Sequence, residues 1–125
     1  MDHKSLKPFV SHLTVGVSEI IKKYFRQDYC IEFKSDNSPV TIVDKLVEEF
    51  LIEKITKEFP SHSIDGEEFG LSMPLDSEYE WVIDPIDGTK SFIHGVPLFA
   101  TIIALLKEKK PILLPLCRRK IGFFL

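Results

Sequence analysis

The stretch EWVIDPIDGTKSFIHG, residues 80–95, divides the chain in two. An apolar run, Trp81-Val82-Ile83, ends on Asp84; Pro85 follows, then Ile86, Asp87 and Gly88-Thr89-Lys90. The run reads as a strand with a buried end, and Ser91-Phe92-Ile93 can continue a short helix opened by Gly88-Thr89-Lys90. Between them lies a corner: proline fixes φ and removes an N–H, and glycine permits the backbone turn that closes it. Such a corner can aim Asp84, Asp87 and the Ile86 carbonyl at one point.

Upstream of this corner the periodicity is mainly helical. Leu6, Phe9, Val10, Leu13, Val17, Ile20, Ile21, Tyr24 and Phe25 predict an amphipathic helix over roughly residues 4–26, with Pro8 in its first turn. YCIEFK, 29–34, alternates as a short strand, and SDNSP, 35–39, is loop by composition. A second apolar stripe runs from Ile42 through Val43, Leu46, Val47, Phe50, Leu51 and Ile55 to Phe59, and Pro60 ends it. Thr41 and Asp44 have the spacing of a capping box at its start. HSIDGEEFG, 62–70, reads as a short strand running into an acidic turn. Downstream of the corner, LFATIIALLKEKKPILLPL predicts a hairpin with strands 98–106 and 112–116 and Glu108-Lys109-Lys110-Pro111 at the turn. The expected fold is α+β: two amphipathic helices packed on one face of a mostly antiparallel sheet, with residues 1–125 as a single domain.

Composition removes several functions. With 125 residues, 44% of them hydrophobic and 28% charged, the chain has the make-up of a soluble globular domain. A net charge of −3 argues against nucleic acid as a partner, which needs a basic face. The longest apolar run, 98–106, is too short to span a bilayer. No signal peptide is read at the start. Cys30 and Cys117 lie far apart without metal-ligand spacing, which fits a cytoplasmic protein.

The acids carry the candidate chemistry. Asp84 and Asp87 brought together repel unless a cation or proton lies between them. Oxygen-only ligation suits magnesium, which keeps waters for a phosphate substrate. A bare D-P-x-D-G is also a good turn, its acids capping backbone N–H groups. Glu67 and Glu68 follow a strand as Asp84 does; they read as a further metal carboxylate or as a solvated turn. Asp44 either complements a helix N-terminus or orients a hydroxyl or water. The amides of Gly88 and Thr89 can bind phosphate oxygens, and Lys90 either adds positive charge there or is simply exposed. Lys34 can reach a loop-bound acid or solvate a strand end. His3, His12, His62 and His94 have no ligand spacing.

WVIDPIDGTKSF, with SPVTIVD (38–44) and DGEEFG (65–70) upstream in the same order, resembles the inositol monophosphatase superfamily of magnesium-dependent phosphomonoesterases. The resemblance covers roughly residues 34–113. It implies that Glu67, Asp84 and the Ile86 carbonyl hold a first Mg2+, that Asp84 and Asp87 hold a second, and that Glu67 assists a third, weaker one. It also implies that Asp44 and Thr89 activate the attacking water, with Glu67 beside them in the catalytic set, while Gly88, Thr89 and Lys90 face the phosphate. Lys90-Ser91 and the following GVPLFATIIALL are similar to the histidinol-phosphatase branch. The substrate ranking is histidinol phosphate, then inositol monophosphate, then a 3′-phosphonucleotide.

Two departures shape the expectations. The family has a second half, carrying another metal-ligating aspartate, and 114–125, LPLCRRKIGFFL, is an atypical tail. The expected chain is therefore the N-terminal portion of the fold, a truncated or frame-shifted product, with weak magnesium binding, little turnover alone and a tendency to associate as a homodimer through an exposed apolar face. The competing expectation is a non-catalytic metal-binding or interaction fragment of the same fold.

Overall fold

The computed structural model describes residues 3–72, 74, 76–113 and 116–118. Its elements run α1 (His3–Tyr24), β1 (Ile31–Phe33), β2 (Pro39–Thr41), α2 (Ile42–Glu58), β3 (Ser63–Gly66), β4 (Gly70–Ser72), β5 (Tyr79–Asp87), α3 (Thr89–Ile93), β6 (Ala100–Lys107), β7 (Lys110–Leu113) and β8 (Leu116–Arg118). Of the tail, residues 114, 115 and 119–125 lie outside the described residues.

Helix α1 buries Leu6, Val10, Leu13, Val17 and Ile21, one side chain per turn along a single stripe. It ends at Tyr24, slightly earlier than the apolar pattern suggests, and Pro8 is its sixth residue rather than part of the first turn. Helix α2 starts where the capping box predicts. The Thr41 side chain accepts from the amides of Val43 and Asp44, and Asp44 Oδ2 accepts from the Thr41 amide at 2.8 Å. The helix buries Val43, Val47, Leu51 and Ile55, and beside them the acids Asp44 and Glu48. Phe59 closes it by donating its backbone N–H to the Ile55 carbonyl, one residue before Pro60.

Among the described residues, the main sheet has strand order β4-β3-β5-β6-β7, with β8 also paired to β6. Every pairing is antiparallel except β3 with β5. The helices cover one face. Trp81 and Ile83 point toward them and are buried, while Val82 between them is exposed on the other face. Phe9, Phe59 and Trp81 meet edge-on or stacked between helices and sheet. The α+β reading thus holds, with one parallel pair inside an otherwise antiparallel sheet.

Three local expectations change. Pro39–Thr41, read as loop and helix start, pairs with Ile31–Phe33 as a separate two-stranded ribbon. Its two strands differ in burial: β1 is exposed, Phe33 by 68%, whereas Val40 and Thr41 of β2 are buried. Gly70–Ser72 forms a strand beyond the acidic turn. The hairpin turn is also tighter: Glu108 and Lys109 alone make it, both with positive φ (49° and 68°), the two-residue geometry that matches strand twist.

Candidate metal and phosphate site

Parallel pairing of β3 with β5 brings the ends of two strands to the same edge of the molecule. Gly66 stands opposite Ile83, and the Glu67 amide donates to the Ile83 carbonyl at 3.0 Å. Glu67 therefore leaves β3 beside the point where Asp84 leaves the regular part of β5. An antiparallel pair would have put these two acids at opposite ends of the sheet.

The corner itself is a β-bulge. Asp84 stands opposite Ile102 and Asp87 opposite Ala100, so β5 spends one residue more than β6 over this span. Side chains alternate along a regular strand, and residues three apart face opposite ways. The extra residue cancels that alternation, and Asp84 and Asp87 line one cavity together with Ile86. Pro85 tolerates the bulge because no ladder N–H is lost there. Its carbonyl accepts from the buried Thr101 hydroxyl at 2.8 Å, which pins the bulge to β6. Gly88 then takes φ +97°, and a Cβ there would lie 2.8 Å from the Leu98 carbonyl oxygen, so only glycine fits. Helix α3 follows, anchored by fully buried Phe92 against Phe25 and Phe99.

Asp44 caps α2 and also meets the Thr89 hydroxyl. One carboxylate oxygen closes the capping box and also accepts the Thr41 hydroxyl at 2.6 Å. The other lies 3.2 Å from the Thr89 hydroxyl, which also lies 3.0 Å from the Ile86 carbonyl. The single Thr89 proton thus has two acceptors. Asp44 is 1% exposed and tied by these bonds, so its position is fixed.

The cavity measures about 310 Å³. Glu67, Glu68, Asp84 and Asp87 supply its acids, Lys34 and Lys90 its cations, and Gly88 and Thr89 the start of α3. Asp84 is the most perturbed. Burial, then the charges of Asp87, Glu67, Asp44 and Glu68, push its carboxyl up to about 6. Burial also pushes Asp44 up, against the hydrogen bonds from Thr41 and Thr89 that stabilise its charge. Lys34, just past β1, answers part of this charge, 3.2 Å from Glu68 and 3.7 Å from Glu67. Burial opposes the Lys34 charge, but the neighbouring carboxylates outweigh it and hold its pKa above the usual value.

Among the described residues no three His, Cys, Asp or Glu side chains stand ready as a metal cage. The reason is visible at Glu67: its side chain is more than half exposed and drawn toward Lys34. Even so, the donor set fits a hard divalent cation. It is all oxygen, and the carboxylates of Glu67, Asp84 and Asp87 line one cavity with Ile86. Lys90 is exposed at the cavity rim, and His94 turns to its own helix, its Nδ1 lying 2.7 Å from the Lys90 carbonyl oxygen. His62 is remote from the corner in the core, where its Nδ1 accepts from Trp81 Nε1 at 3.0 Å.

Two contributors escape a reading by motif. Thr101 looks like an ordinary strand residue, and its partner is known only once β5 and β6 are paired. Glu48 carried a usable signal: it lies four residues after Asp44, beside the buried stripe of α2. It is fully buried and accepts the amides of Glu68 (3.0 and 3.2 Å) and Phe69 (2.6 Å).

Residues 2–113 match the profile of the Inositol monophosphatase family. The Arabidopsis thaliana protein named bifunctional phosphatase IMPL2, chloroplastic, is 54% identical over 96 residues, which are 76% of this chain and 28% of that protein. A histidinol-phosphatase of Streptomyces coelicolor is 43% identical over 83 residues, 66% of this chain and 30% of its own length. The chain thus spans under a third of these curated relatives. Among solved structures, the Thermotoga maritima IMPase superposes with a TM-score of 0.81 at 26% identity, covering 90% of this chain and 43% of that one. An inositol monophosphatase from Zymomonas mobilis gives 0.75 at 34% identity, covering 93% and 44%. On this match and the fold that accompanies it, the chain belongs to the inositol monophosphatase family.

Proposed function

We propose that the acidic corner is the metal- and phosphate-binding part of a magnesium-dependent phosphomonoesterase site. The observation that carries this reading is the joint lining of one cavity by Glu67, Asp84, Ile86 and Asp87, with Thr89 bonded to buried Asp44 at its edge. Glu67, Asp84 and the Ile86 carbonyl would hold one Mg2+, and Asp84 with Asp87 a second. Bound there, divalent cations supply charge stabilisation to the phosphoryl oxygens and a more acidic water. The rest falls to the chain's own groups. Asp44 Oδ1 accepts the hydrogen bond of the Thr89 hydroxyl, which leaves the Thr89 oxygen to accept from a water and orient it. The amides of Gly88 and Thr89 face the phosphate oxygens, and Lys90 adds positive charge at the rim. Positioning and charge do most of the work in phosphoryl transfer, and the bulge, the capping box and Gly88 are positioning devices.

The substrate class is a small phosphate ester, with histidinol phosphate placed first and inositol monophosphate second. Lys90-Ser91 after Gly88-Thr89 and the relatives named histidinol-phosphatase support that order. The test is phosphate release from each ester by the purified chain with Mg2+, beside Asp84→Asn. The expected result is slow, magnesium-dependent release, faster from histidinol phosphate, that falls at least about tenfold in the variant. Equal release by both proteins sinks the reading. No release from a folded wild-type chain favours a non-catalytic metal-binding or interaction module instead.

A further inference from the structure

The turn that carries Glu67 has little hydrophobic anchorage of its own. Glu67 and Phe69 are exposed, and β4 beyond them is a three-residue strand that leaves Leu71 60% exposed. The turn is held instead from below. Glu48, on the buried face of α2, sends its carboxylate up to the backbone and accepts the amides of both Glu68 and Phe69. Gly66 completes the fit, because a Cβ there would land on the Glu48 carboxylate. A fully buried carboxylate is costly unless bonded, and its bonds run to the two residues that follow Glu67. The same helix holds Asp44 one turn earlier, so α2 supports both sides of the cavity from one rigid element.

We propose that Glu48 is a positioning residue of the site: its buried carboxylate fixes the 66–69 turn and so presents Glu67 to the Asp84–Asp87 corner. This rests on the reading that the corner takes a divalent cation, although Glu48 itself touches neither cation nor substrate. Glu48→Gln keeps shape and one acceptor oxygen but turns an NH2 group toward the donor amides. The effect passes through Glu67, so the two positions are coupled rather than independent.

The probe is Mn2+, another hard, oxygen-preferring cation, titrated into the full chain and followed by electron paramagnetic resonance. Wild type, Asp84→Asn, Glu48→Gln, Glu67→Gln and the Glu48→Gln/Glu67→Gln double variant are compared, with thermal unfolding run on each. Glu48→Gln is expected to weaken Mn2+ by about tenfold, and the double variant to bind as Glu67→Gln alone does. If Asp84→Asn weakens Mn2+ while Glu48→Gln does not, or if the two glutamate effects simply multiply, the corner stands and the role of Glu48 is overturned. If Asp84→Asn binds as wild type does, the corner reading fails and takes this inference with it. Hydrogen exchange on the wild-type chain decides the matter should Glu48→Gln not fold. The Glu68 and Phe69 amides are expected to be protected without any cation, and exchange at free-peptide rates overturns the clamp.

Discussion

Thr101 and Asp84 show what single side chains do at this corner. The Thr101 hydroxyl is buried and donates to the Pro85 carbonyl. Thr101→Val keeps the shape and leaves that carbonyl unpaired, so urea unfolding should show a loss of about 1–2 kcal/mol, while Thr101→Ser keeps the bond and most of the stability. Asp84 carries the opposite kind of burden. Its folded pKa is raised to about 6 from 3.8, chiefly by burial. A raised carboxyl favours folding when protonated. That contribution is complete below the unfolded value and is lost as pH rises through about 6. Without a cation, wild type should therefore lose stability between pH 5 and pH 7 relative to Asp84→Asn, as urea midpoints at the two pH values would record; equal changes in both proteins contradict the account. The same proton competes with a cation, so metal affinity should fall as pH drops below about 6. Asp44, Asp84, Asp87 and Glu67 stood out in the sequence because acids at strand and helix ends are conspicuous. Thr101 did not, because a threonine in a strand signals nothing until the neighbouring strand is known.

Helix α2 and strand β5 are the elements on which the site is built. Both were legible in advance: α2 through its apolar stripe and capping box, β5 through the run ending at Asp84. Strands β2 and β4 were not, because three residues are too few to display a period, and Pro39 and Gly70 read as loop. Tight packing of α2's end on β5 rests on a buried pair, Trp81 Nε1 donating to His62 Nδ1, with His62 stacked between Phe59 and Tyr79. Trp81 can only donate, so His62 carries its neutral proton on Nε2, and burial pushes its pKa below the usual 6.5. A depressed histidine contributes stability above its unfolded pKa and loses it as pH falls through the folded value. Trp81 is the only tryptophan, and its fluorescence reports unfolding directly. His62→Phe should be about 1–3 kcal/mol less stable at pH 7, since the Trp81 N–H is left unpaired, yet lose less than wild type on acidification below pH 6.5. A steeper acid loss in the variant would refute this role.

For the whole molecule, the decisive feature is one the sequence does not disclose: β3 and β5 run parallel inside a mostly antiparallel sheet. Hydrophobic pattern specifies which face of a strand is buried, but it is silent on which strands become neighbours and in which direction. The helix-and-sheet layering was therefore readable from period alone, whereas the meeting of Glu67 with Asp84 depends on a long-range pairing. Family resemblance supplied the association of these acids; the parallel pair and the bulge supply its physical cause. The central claim is that these two devices build a site for a divalent cation at one end of the sheet. The most direct test is to add Mn2+ to the 15N-labelled chain and map the amide resonances that broaden. The account predicts broadening centred on Glu67, Asp84, Asp87, Gly88 and Thr89, relieved by Asp84→Asn. Broadening centred on acids elsewhere, or spread evenly over the surface and unchanged in Asp84→Asn, would contradict it.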